Sequence, residues 1–152
     1  MKRANTRMII LHKLYEFNLP IEEMVNIYIL FIRSILEYSC VIWHSSLTEE
    51  ESKNFERVQK TALKIILKNN YEGYYSALSL ANLQTLRYRR KLLSLSFAKK
   101  CLKSGKNSDL FPMNMKNVNL RKKEKFYVTL ARTERLAKST IPYLQTLLNE
   151  EA

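Results

Sequence analysis

T-E-E-E-S-K-N-F-E-R-V-Q-K-T-A-L-K-I-I-L-K, residues 48–68, is the stretch that decides the fold class. Thr48 with Glu51 three residues later is a capping box, in which hydroxyl and carboxylate each satisfy an amide that the first helical turn leaves without a partner. Glu49, Glu50 and Glu51 also place negative charge at the positive end of the helix dipole. Phe55, Val58, Ala62, Ile65 and Ile66 then recur at helical spacing. Lys53, Arg57, Lys60, Lys64 and Lys68 fall on the opposite side at about 100° per residue. The pattern predicts an amphipathic helix to about Lys68, with one buried stripe and one cationic stripe.

Working outward, the same logic yields more helices. Residues 2–17 read as a first helix with Met8, Leu11, Leu14 and Tyr15 on one face. Asn18-Leu19-Pro20 breaks it, with Asn suited to cap the next helix and Pro to its first turn. In that second helix Ile21, Val25, Tyr28, Ile32, Ile35, Ser39 and Ile42 recur at spacings of four and three. Its other positions are largely apolar too, so it is expected to run unbroken to Ser45 as the central, buried helix. Residues 69–73 form a turn, 74–81 a short helix, and Thr85 caps a long helix to about Lys103. Residues 104–125, with Pro112, several Asn and the run Arg121-Lys122-Lys123, read as a basic loop or arm. Residues 126–130 fit a short strand or a helix, and Ser139-Thr140-Ile141-Pro142 opens a final short helix to about Asn149. The expectation is an all-α, irregular bundle of about five or six helices. Residues 1–103 form its body, and residues 104–152 form an arm and a terminal helix packed on the same domain.

Composition supports that reading. The 152 residues suffice for a hydrophobic core. Two glycines and three prolines are few for a sheet rich in tight turns. The net charge of +12 is uneven: residues 53–138 hold 21 Lys/Arg against five Asp/Glu, a net of +16, between two mildly acidic ends. A basic body of this kind is the footprint of a polyanion-binding surface, and the alternative is a merely solvated lysine-rich face. Cys40 and Cys101 form no disulfide framework and suit reduced, buried thiols. Residues 1–7 do not resemble a signal peptide, and Glu22, Glu23, Arg33 and Glu37 interrupt the apolar run 21–43. An intracellular protein outside the membrane is expected, cytoplasmic or nuclear.

Few groups suit catalysis. Asp109 is the only aspartate, whereas two-metal phosphoryl chemistry needs a cluster of carboxylates. Gly73 and Gly105 are too few for a phosphate-cradling loop. Cys40 and His44 lie four apart and, with His12 and Cys101, make a conceivable zinc quartet. The paired spacing of such sites is missing from its second half, so neither metal nor cofactor is expected. Five cations along about 22 Å of helix suit a row of phosphates better. Arg87, Arg89, Arg90 and Lys91 add four more, although a helix cannot point them all one way. Tyr71, Tyr74 and Tyr75 can stack on bases or pack in a core. Arg33 and Glu37 are set for an i,i+4 ion pair, or Glu37 for a buried arginine.

Several stretches, in order, resemble the region after the catalytic palm in jockey-like non-LTR retrotransposon reverse transcriptases. They are K-R-A-N-T-R-M (2–8) with L-H-K-L (11–14), F-I-R-S-I-L-E-Y-S-C-V-I-W (31–43), F-E-R-V-Q-K-T-A-L-K-I-I (55–66), L-Q-T-L-R-Y-R-R-K (83–91) and S-T-I-P-Y-L-Q-T-L-L-N (139–149). The resemblance implies the thumb and following helical connection of an RNA-directed DNA polymerase, which grip the template–primer duplex. It implies no catalytic residue here, because the family's palm aspartates and endonuclease lie upstream of this region. A natural C-terminus and a truncated N-terminus are expected on the same ground.

The expected function is therefore non-catalytic, sequence-independent binding of RNA, DNA or an RNA–DNA hybrid. Lys53, Arg57, Lys60, Lys64, Lys68, Arg87, Arg89, Arg90 and Lys91 are the candidate contacts. The alternatives are a helical protein–protein interaction module, using apolar surface that the absent palm would leave open, and an unselected relic of a decayed element.

Overall fold

The computed structural model describes residues 2–105, 107–114 and 125–151. The helices are α1 (Lys2–Glu16), α2 (Ile21–Ile27), α3 (Ser34–Glu37), α4 (Cys40–Trp43), α5 (Glu49–Leu67), α6 (Tyr74–Leu80), α7 (Leu86–Ser104), α8 (Glu134–Ala137) and α9 (Thr140–Glu150). A π-helical segment, Tyr28–Arg33, joins α2 to α3, and short 3₁₀ turns follow α4, α5 and α7. The fold is all-α. Among the described residues, the one extended pairing is an isolated antiparallel bridge between Met113 and Phe126.

The chain divides into two units. Unit 1 is Met1–Tyr38 with Thr48–Arg89, and unit 2 is Ser39–Leu47 with Arg90–Ala152. The division differs from the expected break after residue 103, because it passes through α7, whose residues 86–89 belong to unit 1 and the remainder to unit 2.

In unit 1, α1 buries Ala4, Met8 and Leu11, and α5 buries Val58, Ala62, Leu63, Ile65, Ile66 and Leu67 against the same core. The capping box of α5 forms as expected: Glu51 N donates to Thr48 Oγ1 at 3.2 Å, and Thr48 N donates to Glu51 Oε2 at 2.9 Å. Asn18 does not cap α2. It takes φ 52° at the end of α1, a left-handed conformation that Asn tolerates, and Pro20 precedes the first residue of α2.

The long second helix is broken, contrary to expectation. Met24, Tyr28, Ile32 and Leu36 are buried in unit 1 at a strict spacing of four, with Val25 buried beside the first of them. Four residues overrun a 3.6-residue turn by about 40°. The π segment holds one extra residue per closed turn and keeps this row facing the core. It also turns Leu30 and Phe31 outward, at 66% and 48% exposure. At Ser39 the backbone goes left-handed (φ 50°) and the helix stops, with neither Gly nor Pro to announce it.

In unit 2, Leu95, Ala98 and Cys101 of α7 pack with Leu144, Leu147 and Leu148 of α9, and with Phe111 and Phe126. Side-chain amides hold the irregular chain to α9. Asn149 receives Phe126 N at 2.8 Å and donates to Phe126 O at 2.9 Å; Gln145 receives Thr129 N at 2.8 Å and donates to Leu110 O at 2.7 Å. The expected arm over 104–125 is therefore built at both edges, and residues 126–130 are mostly irregular. The run Arg121-Lys122-Lys123 lies outside the described residues.

Thr48→Ala is expected to lower the unfolding free energy by about 1 kcal/mol in urea titrations. The two hydrogen bonds with Thr48 hold the Glu51 carboxyl below its usual range. Its stabilisation is thus present above the ordinary glutamate pKa and is lost as pH falls through the depressed folded-state value. Comparing melting temperatures at neutral and acid pH, Glu51→Gln should flatten part of that decline. An identical pH profile would remove the box from the account.

Candidate nucleic-acid interface

The α5 stripe stands where its periodicity places it. Lys53, Arg57, Lys60 and Lys64 lie on the exposed side of α5, and Lys68 follows at its C-terminal cap. The five are not equivalent. Arg57 donates to Asn54 Oδ1 at 2.7 Å and lies 3.3 Å from Glu50 Oε1. Lys64 Nζ sits 5.6 Å from the centre of the Tyr71 ring, and Lys68 Nζ 3.0 Å from that of Tyr15. A cation over a ring face keeps its charge available on the open side. Among the described residues, Lys53, Lys60 and Lys64 make no ion pair.

The second run, residues 87–91, is used differently. Arg87 forks onto Glu49 at 2.9 and 3.0 Å, with both side chains well exposed. Arg89 forks onto Glu37 at 2.5 and 3.1 Å, where Arg33 Nε also approaches Glu37 at 3.8 Å. The i,i+4 partner and the more distant arginine thus share one carboxylate. Burial, and then the like charge of Arg89, pull the Arg33 guanidinium below its usual range, and Glu37 opposes them. Lys91 is 2.8 Å from Glu150. Arg90 requires a correction. It is 0% exposed on the buried face of α7, with Nε donating to His44 Nδ1 at 3.4 Å and the guanidinium 5.9 Å from the Trp43 ring centre. A side chain so enclosed does not reach a phosphate. The buried residues of α7 are Leu86, Arg90, Ser94, Leu95, Ala98 and Cys101.

Below the stripe lies a polar network. Tyr28 donates to Gln59 Oε1 at 2.6 Å, and Gln59 Nε2 donates to Tyr74 Oη at 3.1 Å and Gln84 O at 2.9 Å. Tyr74 donates to Glu56, which also receives Leu86 N at 3.3 Å and Arg87 N at 2.7 Å. Glu56 thereby caps the start of α7 from another helix, a role its position beside the cationic stripe does not announce. Thr85 caps as expected, receiving Tyr88 N at 3.3 Å. Burial pushes both tyrosine hydroxyls far above their usual range, and for Tyr74 the Glu56 hydrogen bond adds to it. Tyr71 and Tyr74 pack against the core, whereas Tyr75 is 78% exposed, with its ring centre 5.6 Å from that of Tyr74.

Charge follows the units. Unit 1 carries 12 Lys/Arg against nine Asp/Glu and unit 2 carries 14 against five, so the nets are +3 and +9. Seven of the nine candidate contacts fall in unit 1, and Arg90 and Lys91 fall in unit 2; Lys100 and Lys103 of unit 2 were passed over, although the K-K-x-x-K spacing at 99–103 was legible. Among the described residues, no group of three or more His, Cys, Asp or Glu is placed to hold a metal ion. No single described helix is long and apolar enough to cross a membrane. No protein-family model, curated protein or solved structure matches this chain.

Arg89→Ala should lower the unfolding free energy by roughly 2 kcal/mol, less than for a fully buried pair, because Arg89 is 31% exposed. Lys60→Ala should change it by no more than about 0.5 kcal/mol. Equal losses in urea titrations would erase this separation of structural from available cations.

Proposed function

We propose that this chain grips the sugar–phosphate backbone of nucleic acid without reading sequence, as a reverse-transcriptase thumb and connection does. The observation that carries it is the row of exposed ammonium groups on α5 that make no ion pair among the described residues. At 1.5 Å per residue, Lys60 and Lys64 stand about 6 Å apart along the helix, and Lys53 and Lys60 about 10 Å. Flexible lysine stems reach a row of phosphates from such positions, and each contact releases a counterion. Lysine is a point charge with no fork to match a base edge, which suits backbone contact. Arg57 and Arg87 join from exchangeable surface pairs, where a phosphate competes with a solvated carboxylate. The ordered resemblance to the post-palm region supports the same reading and favours a template–primer duplex as the ligand.

A second reading, a protein-interaction module, is favoured by one observation. Phe17, Leu30 and Tyr38 of unit 1 are exposed at 75%, 66% and 78%.

Fluorescence anisotropy with a labelled RNA–DNA hybrid across a salt series tests the proposal. The wild-type chain should bind with a steep negative salt slope, and Lys53→Ala/Lys60→Ala/Lys64→Ala should reduce that slope by about 2 to 3. An unchanged slope would take α5 out of the interface. Weak binding by the folded wild-type chain would favour a protein partner.

A further inference from the structure

The C-terminal half of α7, within unit 2, carries a second cationic feature unlike the α5 stripe. Two open grooves run along it. The larger, about 640 Å³, is lined by Phe97, Lys100, Cys101, Lys103, Ser104 and Asn107. The smaller, about 370 Å³, is lined by Leu92, Leu95, Ser96, Lys99 and Glu151 and shares Lys100 and Lys103 with the first. Those two lysines therefore form the ridge between the grooves. Lys99 is engaged by Glu151, whereas Lys100 and Lys103 make no ion pair among the described residues. Among the described residues, no carboxylate lines the larger groove. Phe97, 44% exposed, lies one turn before Lys100 and so on the same side of the helix.

Lysines near a helix C-terminus ordinarily offset the dipole, which amounts to about half a negative charge. Two ammonium groups exceed that need and leave a net positive rim, in the unit that carries +9 of the charge. The floor beside this rim is apolar and includes an aromatic face. An acidic peptide supplies charge but no flat face for the ring. A duplex supplies phosphates but keeps its base faces stacked inside. A single strand alternates phosphates with accessible base faces, and stacking on an aromatic ring does not depend on sequence.

We propose that Phe97, Lys100 and Lys103 form a binding groove for single-stranded nucleic acid, with phosphates on the two lysines and a base against the Phe97 ring. This rests on the nucleic-acid reading above and adds a second site with its own strand preference.

The test uses the full chain and two labelled probes of equal length, an oligodeoxythymidylate and its abasic counterpart, in anisotropy titrations at fixed salt. The wild-type chain should prefer the base-bearing strand by at least about fivefold, as one stacked base allows. Phe97→Ala should bring that ratio near one, and so should Phe97→Leu, which keeps the apolar bulk and removes the π face. Lys100→Gln/Lys103→Gln should weaken both probes, while Lys53→Ala/Lys60→Ala/Lys64→Ala should weaken both and preserve the ratio. A ratio near one in the wild-type chain, or one that survives both Phe97 variants, overturns the groove and leaves the α5 reading standing. Displacement of the strand by oligoglutamate at equal charge concentration also overturns it, in favour of an acidic peptide. If neither probe nor the RNA–DNA hybrid binds, both readings fall together.

Discussion

The side-chain amide of Gln59 is fully buried in unit 1, and a buried amide must find partners for both of its ends or destabilise the core. Its oxygen receives the hydroxyl of Tyr28 from the π segment, and its nitrogen donates to Tyr74 of α6 and to the carbonyl of Gln84 before α7. One residue of α5 thereby sets the position of three other elements. Glu56, three residues earlier, extends the arrangement by capping α7 and receiving Tyr74. Apolar packing tolerates a sliding helix, because many arrangements bury similar area. A satisfied polar network admits far fewer. The face of α5 opposite the cations is thus as consequential as the cationic face, since it holds the stripe in a defined place.

Basic residues do three different jobs here, and burial separates them. Arg33 and Arg89 converge on Glu37, and Arg90 lies inside unit 2 beside His44 and Trp43. Arginine suits these enclosed sites because its guanidinium is delocalised and weakly hydrated. Arg57, Arg87 and Lys91 sit in exposed pairs that contribute little to stability and exchange readily with other anions. Lys53, Lys60, Lys100 and Lys103 remain in water without an ion pair among the described residues. The division of labour is close to arginine for architecture and lysine for surface, as the hydration of the two groups would dictate.

The two proposed surfaces differ in what they would hold. The α5 row offers charge alone, which suits a continuous backbone, duplex or single. The α7 grooves offer charge beside an exposed ring, which suits a strand whose bases are accessible. The outward turn of Leu30 and Phe31 has a separate origin in the π segment, where keeping a four-residue row on the core displaces its neighbours.

By itself the sequence determined the helical class, the capping box at Thr48 and Glu51, the two faces of α5, the cap at Thr85 and the start of α9. Each is a local matter, set by spacing along one segment or by side chains reaching amides three residues away. Only the tertiary structure decided where residues 21–45 break, because the π segment and the left-handed Ser39 answer to packing against other helices and no Gly or Pro marks them. The fate of residues 87–91 was illegible for the same reason: Glu37 and Glu49 are far away in the chain, and His44 and Trp43 meet Arg90 only after folding. Glu56 looked like one acid among cations until α7 arrived to need it. Local periodicity dictates which residues share a helix face; what that face meets is settled by partners distant in the chain.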